Sequence, residues 1–181
     1  MTEPPGARRA DGPGAVRAAR EGDLTTLRSI ERAAGGMFAA LGMTLVAADE
    51  PPSIQELLTY ERDDRAWVRT DDHDRPVAYL LADEVDGCAH LEQVTVHPDW
   101  AHRRLGQELL ERLSAWATER HLPTITLTTF TDVPWNGPYY RRLGFRVLDE
   151  AQLTPGLRRI RSSEADRGLD AWPRAAMRLD L

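Results

Sequence analysis

The chain has 181 residues, 41% hydrophobic and 29% charged, a size and composition that fit one globular domain with a sizeable core. No apolar run approaches the ~20 residues needed to cross a bilayer, and a net charge of −6 argues against nucleic acid or an anionic membrane as a partner, so an anionic ligand must be held by a local basic patch. Cys88, the lone cysteine, excludes an internal disulfide and a cysteine zinc cluster, so the sequence reads as metal-free and cytoplasmic.

Residues 1–14 are rich in Pro, Gly, Ala and Arg without an apolar core, which predicts a flexible tail ahead of a single domain over residues 15–181. A short strand over Ala15 to Ala19 leads to Asp23, a candidate N-cap. Leu24, Leu27, Ile30, Ala34, Phe38 and Leu41 then recur at the spacing of a long amphipathic helix. Pro51 and Pro52 break the chain. Ser53-Ile54-Gln55-Glu56 has the capping-box pattern that opens a second helix, running to about Asp63.

Ala66 to Arg69 and Val77 to Leu81 read as a hairpin around the polar stretch Thr70 to Arg75. A third strand, Cys88 to Val96, follows the turn Asp86-Gly87 and stops before Pro98, which has no N–H to give a ladder. Leu105, Leu109, Leu113 and Trp116 mark one face of the next helix. Thr124 to Thr129 is a β-branched strand, Trp135 to Leu143 a short helix and Gly144 to Leu148 an apolar strand. Leu153 to Gly168 has room for another helix capped by Thr154, and Ala175 to Leu181 closes the chain as a strand. The main order, β-α-α-β-β-β-α-β-α-β-β, predicts an α/β protein with a mixed sheet and helices on its faces.

The chemistry concentrates where the third strand opens a helix. The first amides of a helix lack intrahelical partners and carry the positive end of its dipole, so basic residues at that point make an anion site. Here the basic cluster is His102, Arg103 and Arg104, followed by Leu105, Gly106 and Gln107 in the first turn.

This stretch resembles the acetyl-CoA-binding motif of the GNAT N-acetyltransferases, Gln/Arg-x-x-Gly-x-Gly/Ala after a strand ending Val-x-Pro. Val96-His97-Pro98 matches the approach and Gly106 the final small position. Ala101 stands where the family has Gln or Arg, and Arg104 where it has the first glycine. A side chain at that position either crowds the diphosphate or adds charge-assisted bonds to it. Some thirty residues on, Asn136, Tyr140, Gly144 and Phe145 meet a second family spacing, in the expected order. The resemblance spans about Val16 to Leu148 and implies the GNAT fold with acetyl-CoA as co-substrate and no metal.

The resemblance also implies roles. The strand ending at Val96 opens, so that main-chain groups of Val94 and Val96 pair with the pantetheine arm, and the amide of Val94 or Thr95 meets the oxyanion. Tyr140 stands where the family places a phenol that protonates the departing thiolate, and Asn136 orients the pantetheine or the helix start. For the base, Glu92 is the leading candidate, because a carboxylate in an apolar strand is costly unless paired, hydrated or functional. His90, on the same strand face by period two, Asp132 and a water chain are its rivals. Among the aromatics Trp67, Tyr79, Phe130, Trp135 and Tyr139, Trp135 has the best claim to the acceptor pocket, and Asp132 is placed to attract a cationic amine. The expected reaction is direct transfer to a small-molecule primary amine. The alternatives are a protein or peptide acceptor, a silent CoA-binding sensor, and an acetylated Cys88. A homodimer is the expected assembly.

Overall fold

The computed structural model describes residues 14–181, so the expected tail lies outside the described residues except for Gly14. β1 (Val16–Ala18), joined to β2 (Ala66–Thr70) through the helical residues 19–65, pairs antiparallel with it, and short polar turns lead on to β3 (Pro76–Val85) and β4 (Cys88–Val96), which continue the antiparallel sheet. β5 (Thr124–Phe130) lies parallel to β4, and β7 (Arg174–Asp180) inserts between β5 and the two-residue β6 (Arg146–Val147). The result is one seven-stranded mixed sheet in the order β1-β2-β3-β4-β5-β7-β6.

Six helices cover it: α1 (Leu24–Ala39), α2 (Thr44–Ala47), α3 (Ile54–Arg62), α4 (Leu105–Glu119), α5 (Gly137–Arg142) and α6 (Pro155–Asp166). The mixed α/β architecture is the expected one, with α2 and α6 added to the main order. The expected long first helix stops at Ala39, and the chain turns at Gly42, whose φ of +73° glycine adopts without steric cost. Ser53 and Glu56 form both bonds of the predicted capping box, and Thr154 caps α6 at the Leu157 amide. Asp23 does not cap α1. Its carboxylate accepts instead from Arg17 at 2.7 Å and from the Arg20 amide at 2.8 Å. Of the predicted strand Gly144 to Leu148 only two residues pair, both exposed, because Phe145 and Leu148 turn into the core on either side.

Each sheet face carries its own core. On one, Leu24, Leu27 and Ile30 of α1 and Leu57 and Leu58 of α3 meet Val68, Tyr79 and Leu81. On the other, Leu105, Leu109, Leu113 and Trp116 of α4, with Tyr140 of α5, meet Leu80, Leu91, Ile125 and Leu127. Alternation along the strands assigns these residues to opposite faces. Among the described residues no helix is long and apolar enough to cross a membrane, and no cluster of His, Cys, Asp or Glu is arranged to hold a metal ion.

Candidate active site

The site begins with a fault in the sheet. The β3–β4 register slips between Leu81 and Ala82, which face Gln93 and Leu91 respectively, so Glu92 is the extra residue of a β-bulge. A bulge bends its strand and increases the local twist. Beyond it β4 leaves β5: Ala89 to Leu91 pair with Ile125 to Leu127, and Gln93 to Val96 have no β5 partner. The parting strands open a cleft of about 2110 Å³, lined by residues 91–96 of β4, residues 127–130 of β5 and residues 100–106 at the start of α4.

Strand alternation fixes what the open edge offers. The His97 amide donates to the Val77 carbonyl on β3, and the same side of β4 carries the amides of Thr95 and Gln93. The amides of Val94 and Val96 therefore face the opening, where an extended amide chain can pair with them. Of the two oxyanion candidates this geometry favours Val94. The Thr95 side chain is tied elsewhere: its hydroxyl donates to Glu31 of α1 at 2.7 Å. Glu31 also accepts from Tyr79 at 2.6 Å and from the Gln93 amide nitrogen at 3.0 Å, so one carboxylate pins the parted half of β4 to α1.

The loop entering α4 is an anion cradle. His102 and Arg104 have φ of +63° and +62°, while Arg103 between them and Leu105 after them do not share that sign. Such alternation turns successive N–H groups toward one point. Among the described residues the amides of His102 through Gly106 make no hydrogen bond. Arg104 thus holds a left-handed backbone, which glycine would adopt freely, at a cost of roughly 1–2 kcal/mol. Arg103 stacks its guanidinium 4.6 Å above the Trp100 ring beside the cleft. A Cβ on Gly106 would stand 3.3 Å from the Tyr139 hydroxyl, so the small residue keeps the cradle open. Gln107 does not belong to this lining, since its side chain bonds Glu111 at 3.1 Å and its amide bonds Arg104.

Glu92 projects to the other face, toward α3 and α6. Its side chain is 46% exposed, whereas His90, two residues earlier, is 1% exposed and does not line the cleft. Although its tip reaches solvent, the protein packed around it raises the Glu92 carboxyl above its ordinary value by desolvation, and the charges of Asp83 and Glu164 push it further. Burial acts oppositely on His90 and lowers its imidazole to about 4. His90 is therefore neutral near pH 7, with Nδ1 2.9 Å from the Thr126 hydroxyl and Nε2 3.9 Å from Glu92. Of the two, only Glu92 can meet a substrate.

Tyr140, on the α4 side of the sheet, packs against Tyr139 and Phe145 with ring centroids 5.4 and 5.6 Å away, and it lines the cleft. Burial, then the neighbouring Tyr139, raises its phenol above the ordinary value, so it keeps its proton at neutral pH. Asn136 and Trp135 line the cleft as well. Trp135 joins Phe38 (5.6 Å between ring centroids) and Phe130 in an aromatic wall, and Tyr139 lines it too. Trp67 and Tyr79 are core residues away from the lining. Asp132 is exposed, lies outside the cleft lining and accepts from Thr131 at 2.8 Å. Cys88 is likewise distant: it starts β4, its sulfur accepts from Thr124, and it lies outside the lining.

Sequence reasoning missed Glu31, Gly137 and the arginines of α1. Helical spacing placed Ile30 and Ala34 on the buried face but gave no sign that Glu31 reaches across to β4. Gly137 sits so close to β5 that a Cβ would stand 2.6 Å from the Thr131 carbonyl oxygen.

Solved structures share this architecture at low identity. An N-acetyltransferase, PaiA, from Thermoplasma acidophilum, in complex with coenzyme A, superposes with a TM-score of 0.69 at 14% identity, covering 92% of this chain and 98% of that one. A ribosomal-protein-alanine N-acetyltransferase from Brucella melitensis gives 0.65 at 18%, covering 92% and 99%. An N-acetylglutamate synthase from Neisseria gonorrhoeae, complexed with coenzyme A and N-acetyl-glutamate, gives 0.67 at 15%, covering 92% of this chain and 35% of that one. These likenesses show the fold. The model of the acetyltransferase (GNAT) family matches residues 35–145, more than half the chain and including the parted stretches of β4 and β5 and the loop entering α4, and the protein belongs to that family.

Proposed function

We propose that this acetyl-CoA-dependent N-acetyltransferase transfers the acetyl group directly to a primary amine of a small molecule, within a ternary complex. The observation that carries the reading is the parting of β4 from β5. It puts the outward amides of Val94 and Val96, the cradle at His102 to Gly106 and Tyr140 on one side of an opening whose other side holds Glu92. Acetyl-CoA supplies the thioester, with its diphosphate at the cradle and its pantetheine along the open edge of β4. Glu92 takes a proton from the ammonium of the acceptor, directly or through water, and its raised pKa suits it to that exchange. The amine nitrogen attacks the thioester carbonyl, and the Val94 amide donates to the oxyanion. Collapse breaks the carbon–sulfur bond, Tyr140 gives its proton to the thiolate, and the proton that the attacking nitrogen sheds passes through water to the phenolate and restores Tyr140.

A small acceptor is favoured by what spans the far end of the cleft. Asp49, after α2, pairs with Arg167, after α6, at 2.7 Å, and Leu45 packs against Gly168. These contacts bridge the mouth, where a peptide acceptor needs an uninterrupted groove.

The test joins calorimetric titration with acetyl-CoA to a thiol-release screen over amines and peptides. The expected result is wild-type release with small amines. Glu92→Gln should lower kcat by about 10²–10⁴, and Tyr140→Phe by an amount at the low end of that range because a thiolate leaves readily. Acetyl-CoA binding should persist in both. Release with peptides alone would reverse the acceptor assignment, and binding without release from any acceptor would mark a sensor.

A further inference from the structure

Eight arginines line the cleft: Arg103, Arg104 and Arg142 in the loop entering α4 and in α5, and five on the rest of its wall, Arg28, Arg32, Arg65, Arg167 and Arg174. Four of these five are paired. Arg65 is held by Asp83 and Asp63, Arg167 by Asp49, Arg174 by Glu164 and Arg32 by Glu50. Arg28 differs. Its Nε is buried without a hydrogen-bond partner among the described residues. The carboxylate beside it, Glu50, is 3.7 Å from the guanidinium, 77% exposed and shared with Arg32. A buried N–H without an acceptor costs about 1–3 kcal/mol, so its presence in a cleft wall points to an acceptor atom brought by a ligand.

The place of Arg28 narrows what that ligand is. Arg28 lies one turn before Glu31, and the Glu31 carboxylate is fixed to Gln93 and Thr95, so Arg28 stands over the same stretch of sheet, on the side where Glu92 meets the acceptor. Near Glu92 the field is negative, with Asp83 and Glu164 close by, which suits an ammonium. At Arg28 it is positive, from a guanidinium whose Nε has no partner among the described residues and whose planar fork matches a carboxylate. A wall that bound a polycation would have no use for a half-buried cation with an open, buried donor atom.

Resting on the enzyme reading above, we infer that the acceptor carries a carboxylate on the same small framework as its amine, as an amino acid does, and that Arg28 binds that carboxylate. The amine is then aimed at Glu92 by a contact made at the opposite end of the molecule. Arg28 is a specificity residue: it touches the substrate away from the reacting atoms.

The test is thiol release from the twenty amino acids, each set against the amine left when its carboxylate is removed, such as histamine for histidine or ethanolamine for serine. The expected result is at least tenfold higher kcat/KM for one or more amino acids than for the matched amine. That preference should collapse in Arg28→Gln and be partly kept in Arg28→Lys, with the affinity for acetyl-CoA and the melting temperature unchanged. Equal or faster release from the decarboxylated amines overturns the inference, as does an Arg28→Gln enzyme that keeps the preference. So does a protein that binds acetyl-CoA but releases thiol with neither set. A wild type that fails to bind acetyl-CoA in the calorimeter instead removes the enzyme reading beneath it.

Discussion

Glu92 and His90 stand two residues apart on one strand, and burial shifts them in opposite directions because it penalises whichever form carries charge. For His90 the folded imidazole titrates near 4, against an ordinary value of 6.5. The unfolded chain therefore binds the extra proton first as pH falls. The stability due to neutral His90 is complete above pH ~6.5, declines as pH drops toward ~4 and is gone below that, an effect of about 3 kcal/mol at most. Denaturant melts from pH 7 to 4 should show this slope, and His90→Gln should flatten it. Arg104 raises a second question of magnitude. Replacing it with glycine removes a left-handed penalty of about 1–2 kcal/mol but adds roughly 0.5–1 kcal/mol of chain entropy to lose on folding, so stability should hold or rise slightly. The lost guanidinium, however, leaves the diphosphate with one cation fewer. Arg104→Gly should thus weaken acetyl-CoA binding in a calorimeter, and the deficit should shrink as salt rises. Equal affinity at low salt would show that Arg104 serves the loop and not the ligand.

At the scale of elements, much was legible because it is local. The capping box at Ser53, the Asp86-Gly87 turn and the helical face of Leu105 to Trp116 are fixed by neighbours in sequence, and the structure keeps them. The cradle residues and Asn136, Tyr140 and Trp135 could be named from motif spacing, and they line one cleft. What stayed hidden depends on residues far apart in the chain. Glu31 matters through Tyr79, Gln93 and Thr95, none nearer than 48 positions. Asp132 read as a plausible amine partner by its place after β5, yet the chain turns it to solvent. Gly137 carried no signal of its own within the predicted helix Trp135 to Leu143, while its real constraint is the backbone of Thr131 and Phe130, at 2.6–3.0 Å from where a Cβ would sit. Backbone cannot step aside as a flexible side chain can. Gly137→Ala should therefore cost about 1–3 kcal/mol and displace α5, which carries Tyr140. Both a lower Tm and a lower kcat are expected. A Tm within 1 °C of wild type would mean that the junction yields.

At the scale of the molecule, the short parallel pairing of β4 with β5 has a consequence for how the protein holds together. Strands β1 to β4 form one antiparallel body and β5, β7 and β6 another, and within the sheet only Ala89 to Leu91 and Ile125 to Leu127 join them. Further ties are α4, packed against β4 and β5, the Gly156 amide bonded to Asp86, the Phe38–Phe130 contact and the Asp49–Arg167 pair. A sheet built this way has a seam, and amides along a seam open at lower free energy than those inside either half. A ligand lying in the gap with one flank on β4 acts as a staple across it. Saturating acetyl-CoA at 100 times its Kd adds about 2.7 kcal/mol to the folded state, and that gain should be concentrated at the seam. Hydrogen exchange should slow most at Val94, Val96 and the β5 amides, and least in β1 and β2. Uniform slowing would show that the two halves already open as one. The fault that makes room for chemistry thus also makes the co-substrate a structural member, so that the protein between turnovers is a looser object than the protein at work.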